Sequence, residues 1–132
     1  MREDHKELDT LWESFASENN KERALIHFEK FKEKLLKHTK LEDETLSPIF
    51  NKYLGIRQGQ TTLISEEHAD LFNLLEKIKS SFDSNNTSEL SYNKKHFRRL
   101  VIKHQDRENL THYVLFDKII PQKDWEEILN QL

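Results

Sequence analysis

Apolar residues along this chain recur at steps of three and four, the period of a helix face, and not in the alternation of a strand. Set at about 100° per residue around a helical wheel, they gather into four stripes. Leu8, Trp12 and Ala16 form the first, and Phe28, Phe31, Leu35, Leu46 and Ile49 the second. Ile64, Leu71, Phe72 and Leu75 form the third, and Phe97, Leu100, Val101 and Leu115 the fourth. Polar breaks separate them. "SENNKE" (17–22) offers Asn19 as an N-cap with Glu22 three residues on, the spacing of a capping box. "GIRQGQTT" (55–62) holds both glycines and ends in hydroxyls able to cap the third helix, and "DSNNTSE" (83–89) is a turn cluster. The spacing predicts helices over 3–17, 20–53, 63–82 and 88–119. Pro48 should kink or shorten the second, because it removes a backbone donor. Pro121 stops the fourth, and "DWEE", with Asp124 as cap, opens a short helix over 122–131 whose Trp125, Ile128 and Leu129 pack back. The expected fold is all-α, with residues 1–132 forming a single domain: an up-down-up-down four-helix bundle with a short C-terminal helix.

Polar residues interrupt these stripes at matching places. His38 and Glu42 fall in the middle of the second, His104 and Glu108 in the middle of the fourth. His68 is central on the third, and His5 lies on the line of the first. The pattern repeats: "EDHKELDTLW" (3–12) resembles "EEHADLFNLL" (66–75), and "KHTKLE" (37–42) matches "KHQDRE" (103–108). Each half reads as a histidine followed, about three dozen residues later, by His-x-x-x-Glu. Two copies of one helical hairpin would meet about a pseudo-two-fold axis, bringing four imidazoles and two carboxylates together.

A lone core histidine is usually hydrogen-bonded and nothing more, and a lone His-x-x-x-Glu is often a surface pair. Six such groups in register are different. Two unpaired buried carboxylates each cost several kcal/mol, and four neutral imidazoles cannot donate enough hydrogen bonds to offset that. Cations resolve the conflict, since carboxylates and neutral imidazoles are both ligands. The expected metal ligands are His5, His38, Glu42, His68, His104 and Glu108. His5 and His38 would hold one ion, His68 and His104 another, with both glutamates spanning the pair and room left for an oxo or hydroxo bridge and an exogenous small molecule. Ligation by nitrogen and oxygen alone suits iron or manganese, and zinc accepts the same atoms. The chain has no cysteine, which excludes disulfides, iron–sulfur clusters and thiolate chemistry. Charged residues make up 34% of the sequence, yet the signs are mixed and the net charge is -3, so no nucleic-acid or membrane surface is expected. The opening "MREDHKEL" lacks the apolar run of a signal peptide, which makes a cytoplasmic location the expectation.

The order "EDH", "HTKLEDETLSP", "EEH", "HQDRE" resembles the hemerythrin-like, HHE cation-binding domains over about residues 3 to 119. That resemblance implies a non-haem di-iron centre that engages dioxygen or nitric oxide, or serves iron and redox sensing. Members that carry oxygen reversibly have a second histidine four residues after the first in the third helix; here Phe72 stands at that place. An open coordination position left by Phe72 points towards oxidation–reduction or iron-centre repair as the alternative to a binding and sensing role, with reductant supplied from outside. A metal-free interaction bundle is the third reading. Asp9, four residues after His5, sits at the stripe's edge, where a hydrogen-bonding role is expected ahead of ligation. His27, His96 and His112 are expected outside the centre, and Tyr53, Tyr92 and Tyr113 show no spacing that marks a redox residue.

Overall fold

The computed structural model describes residues 2–48, 58–112, 114, 117–118 and 120–130. Its elements are α1 (Arg2–Ser17), α2 (Lys21–Leu41), α3 (Gln58–Asp83), α4 (Thr87–Arg107) and α5 (Gln122–Leu129). Two π-helical segments, Glu42–Leu46 and Glu108–His112, continue α2 and α4. No strand occurs among the described residues, and no helix is long and apolar enough to cross a membrane.

Two tight turns make two hairpins, with α1 packed along α2 and α3 along α4. The cap of α2 is Asn20 and not Asn19: its Oδ1 accepts the Arg23 N–H at 3.0 Å, while the Asn20 N–H donates to Glu18. The second turn divides its work between two adjacent asparagines. Asn85 takes a positive φ of 58°, a conformation its side chain tolerates better than most. The Asn85 and Asn86 N–H groups then bond back to Phe82 and Ser81, a Schellman closure of α3. Asn86 opens α4 by accepting the Glu89 N–H at 3.2 Å and returning a bond to the Glu89 carboxylate.

The apolar core fills the end of the molecule nearest these turns. Trp12 sits among Phe15, Phe31 and Phe97 with ring centroids 5.4, 5.3 and 4.8 Å away, and Phe28, Leu75 and Ile78 complete the layer. Ala16, expected on the stripe of α1, is exposed, and Phe15 takes its place. Successive four-residue steps drift by about 40° around a helix, so a three-residue step is needed to return to the core side. On the far side of a polar layer, Leu41, Leu46 and Ile64 are again buried.

Three element boundaries depart from those the sequence predicts. α3 starts at Gln58, so Thr61 and Thr62 lie within the helix and do not cap it; a glycine in the first turn, Gly59, costs about 1 kcal/mol, too little to delay the start. Pro121, not Asp124, holds the N-cap place of α5, with φ -57° and ψ 146° and no side-chain cap. The regular part of α2 ends at Leu41, where the π segment starts and Ser47 donates its N–H to the Glu42 carbonyl. Pro48 is not the shared cause of the π turns, because Val114 holds the corresponding place after Glu108. The continuation of α2 over 49–53 and most of the expected helix beyond His112, with Ile49, Tyr53, Tyr113 and Leu115, lie outside the described residues.

Candidate metal centre

All six expected ligands are buried, and they meet in one layer. α1 supplies His5, α2 His38, α3 His68 and α4 His104, while Glu42 and Glu108 are the first residues of the two π segments. Widening the helix at those points alters which of the next residues face inward. A residue five positions after Glu42 would sit about 140° away on an α-helix, yet Ser47 is buried with Leu46. The first turn thus presents Glu42 towards the axis with Leu46 and Ser47 buried behind it, and the second likewise opens on the buried Glu108.

The inner atoms converge on the two carboxylates. Nε2 of His38 and of His68 lie 2.7 and 3.5 Å from Oε1 of Glu42. Nε2 of His104 and of His5 lie 2.9 and 3.2 Å from Oε1 of Glu108. The rings pair as His5 with His38 and His68 with His104, at centroid distances of 4.9 and 4.8 Å. Donor atoms of Glu42, His68, His104 and Glu108 all fall within 4.8 Å of one another, as do those of His5, His38 and Glu108. Bonds of about 2.0–2.2 Å to a shared ion give ligand–ligand separations of that order.

The outer nitrogens of His38, His68 and His104 are braced by carboxylates from neighbouring elements, which the sequence pattern did not reveal. Nδ1 of His38 donates to Asp4 of α1. Nδ1 of His68 donates to Asp43, 3.1 Å away in the first π segment. Nδ1 of His104 donates to Glu67 of α3 at 2.5 Å. The Asn109 side chain, in the second π segment, acts to favour protonated His5. Each brace is the sequence neighbour of an inner ligand: Asp4 precedes His5, Glu67 precedes His68, and Asp43 follows Glu42 as Asn109 follows Glu108. A neighbour lies about 100° round the helix from an inward residue, which aims it at the adjoining helix. That adjacency was the available signal, visible as the acid before each histidine in "EDH" and "EEH".

Asp9, by contrast, accepts from Arg98 at 2.9 Å on the partly exposed rim and does not enter the centre. His27 stands 3.8 Å from Glu18, and His96 is exposed beside the exposed Tyr92. The side chain of His112 lies outside the described residues.

Electrostatics divides the metal-free centre in two. Burial disfavours protonated His38, but Glu42 and Asp4 outweigh it and hold its pKa up at about 9. Burial likewise opposes protonation of His68, and Asp43 with Glu42 raises it to about 9. Glu42, opposed by its own burial, is held well below the usual carboxylate range by these two imidazoliums. Burial prevails at His5 and His104, each lowered to about 4, with the charge on His38 adding to the effect at both. Glu42 therefore faces two cations near neutral pH, while Glu108 faces two neutral rings. With its Nδ1 proton directed at Glu67, His104 turns its Nε2 lone pair towards both Glu108 Oε1, at 2.9 Å, and the protonated His68 Nε2, at 3.2 Å. Oε2 of Glu108, in a side chain 0% exposed, has no hydrogen-bond donor among the described residues.

This donor set fits cations. Oriented imidazoles with carboxylate-braced outer nitrogens are the arrangement found around protein-bound metals, and an undonated buried carboxylate oxygen is what an ion would satisfy. A buried His/Glu group able to hold a metal ion is therefore present. No family model, curated protein or solved structure gives a significant match to this chain.

Proposed function

We propose that this chain is a hemerythrin-like non-haem di-iron protein that binds or senses a small diatomic ligand such as dioxygen or nitric oxide, or serves iron and redox homeostasis in the cytoplasm. The reading takes the two hairpins as an up-down-up-down bundle, with His5 and His38 on one iron, His68 and His104 on the other, and Glu42 and Glu108 spanning both. The observation that carries it is the convergence of four inward Nε2 atoms on two buried glutamates. Two imidazoles and two shared carboxylates would satisfy a four-coordinate zinc as well; iron is preferred in this reading because the same set would leave coordination positions open on a non-haem iron, as gas binding requires.

A ferrous pair held there supplies affinity for diatomic gases, which side chains alone lack. The residues supply the rest. Asp4, Asp43 and Glu67 fix ring orientation, and the inner atoms lie buried between two apolar layers. A cavity of about 10 Å³ adjoins His5, His38 and His104, walled also by Leu8, Phe31, Leu35, Leu71 and Val101. That is about the space of one water-sized probe, suited to a small apolar gas. Protein prepared under nitrogen should contain about two irons and change its absorption on exposure to dioxygen or nitric oxide, reversing when the gas is removed. A colourless protein with stoichiometric zinc and no affinity for iron overturns the reading.

One observation favours an oxidoreductase or iron-centre repair enzyme as the alternative. A pocket of about 180 Å³, lined by Glu67, Asp70, Leu71, Leu100, Lys103 and His104, reaches the centre's edge between α3 and α4. Phe72, at the position where oxygen carriers have a histidine, packs against the core and lines a separate groove beside His68. This alternative requires an external reductant and predicts turnover with dioxygen or peroxide instead of reversible uptake.

A further inference from the structure

Asp4 and Glu67 correspond in the internal repeat, and each is held from two sides. One oxygen of Asp4 accepts from His38 Nδ1, and the other, Oδ1, lies 2.6 Å from the ammonium of Lys34. Glu67 is held in the same way, with Oε2 on His104 Nδ1 and Oε1 on the Arg107 guanidinium. The cations themselves do not correspond. Lys34 stands four residues before His38 and Arg107 three after His104, and the repeat puts Leu100 opposite the first and Leu41 opposite the second. A feature belonging to the repeat would fall at matching positions; this one does not, yet the same charge reaches the same chemical place twice. Lys34 is also unusual for a lysine, with a side chain only 15% exposed and Glu7 as a second acceptor at 3.3 Å. Asp43, which braces His68, has the neutral Ser65 hydroxyl at 3.1 Å where the other two braces have a cation.

We propose that Lys34 and Arg107 are positioning residues that, acting through Asp4 and Glu67, favour the ferrous state of the bound irons. The proposal rests on the reading that iron occupies this centre. Two physical effects share one sign. A cation close to a metal opposes any gain of positive charge there, the more so where water is scarce. The cation also draws electron density from the carboxylate it binds. That carboxylate then pulls less on the Nδ1 proton, and the imidazole is left a weaker donor to the metal. Fe(III) depends on strong donors more than Fe(II) does, so both effects favour the reduced ion. The couple at each iron is Fe(III) + e⁻ → Fe(II), with the electron supplied by an external reductant and no bond made or broken in the residues themselves. One unit charge at this remove, at an effective dielectric of about 30, changes the ferric-to-ferrous ratio by about tenfold.

The test is a potentiometric titration of the iron-loaded protein with dithionite and redox mediators under nitrogen, followed by absorption. Lys34→Met should shift the ferric-to-ferrous ratio about tenfold towards ferric, lowering the midpoint by about 59 mV for a one-electron couple. Lys34→Arg keeps the charge and should restore the wild-type midpoint. Lys37→Met removes an equal charge from an exposed place on the same helix and should leave the midpoint where it is. Arg107→Gln should lower the midpoint as Lys34→Met does, and it gives a second reading if the lysine variant folds poorly. A cation that only fastened one helix to another would change the melting temperature and not the potential. A midpoint unmoved at full iron content overturns the role of the cation replaced, and an equal fall in Lys37→Met overturns both roles; either result leaves a di-iron protein. Uptake of no iron by the wild type overturns the di-iron reading, and this proposal with it.

Discussion

The two glutamates look equivalent by position, yet the proton distribution predicts opposite responses when each is neutralised in the metal-free protein. Glu108 is fully buried, its Oε2 has no donor among the described residues, and its Oε1 lies 2.9 Å from Nε2 of a neutral His104. An unsatisfied buried acceptor costs about 1–3 kcal/mol, and more when charged. Glu108→Gln keeps the shape, fixes a neutral side chain at this place and offers His104 an amide donor. Metal-free stability should rise by about 1–3 kcal/mol, which at roughly 4 °C per kcal/mol for a chain of this size is about 4–12 °C in melting temperature. Glu42→Gln does the reverse. It takes the counter-charge from His38 and His68, and breaking a buried ion pair from one side costs about 3–5 kcal/mol. The metal response should instead treat the two alike. Wild-type protein with Fe(II) at a hundred times its dissociation constant gains about 2.7 kcal/mol, and both variants should lose most of that gain. Circular-dichroism melts of chelator-cleared protein under nitrogen, with and without Fe(II), read all of these quantities. Equal shifts of the same sign in the metal-free variants refute the proton asymmetry. Undiminished stabilisation by Fe(II) in either variant refutes its glutamate as a ligand.

The same protons make the metal-free protein most stable in mildly acidic to neutral solution. His38 and His68, raised to about 9, stabilise the fold fully below the unfolded histidine value of 6.5, and that contribution is lost as pH climbs through 9. His5 and His104, lowered to about 4, are protonated first in the unfolded chain, so stability also declines as pH falls from 6.5 through 4; a flat profile in chelator-cleared melts refutes both assignments. Fe(II) binding near neutral pH should release protons from His38 and His68, seen as a buffer-dependent calorimetric heat, and a heat independent of the buffer counts against it. Phe97→Ala, at a side chain 0% exposed beside Trp12 and Phe31, should cost about 3–5 kcal/mol in chemical denaturation. Asn86→Ala should cost about 1 kcal/mol by removing the cap of α4, with iron affinity unchanged because the cap lies at the far end from the centre.

Much of the site was legible because burial imposes a period on sequence. An imidazole at 38 and a carboxylate at 42 on a stripe of Phe31 and Leu35 have to point where those residues point, and they do. The braces escaped because they lie off the stripe: Asp43 is only half-buried, and nothing in the spacing distinguishes it from a solvated acid such as Glu44. The π turns escaped for a different reason. "EDETL" and "ENLTH" share the glutamate, an Asp/Asn pair and a threonine at matching places, but none of these residue types marks a π turn in a sequence. At α2 the cap was read correctly in kind and displaced by one residue, because two adjacent asparagines offer the same chemistry, whereas the caps expected for α3 and α5 do not act.

The braces between neighbouring helices have a consequence for how the chain chooses one arrangement of its helices. Phenylalanine and leucine side chains are interchangeable enough that an apolar layer tolerates a helix sliding along its neighbour. Here a slip of α1, α2 or α3 by one turn, about 5.4 Å, would misplace that helix's own ligand and also leave the next helix's imidazole without its acceptor. Each such error is thereby counted twice, so the polar layer acts as a vernier on the bundle and admits a single register.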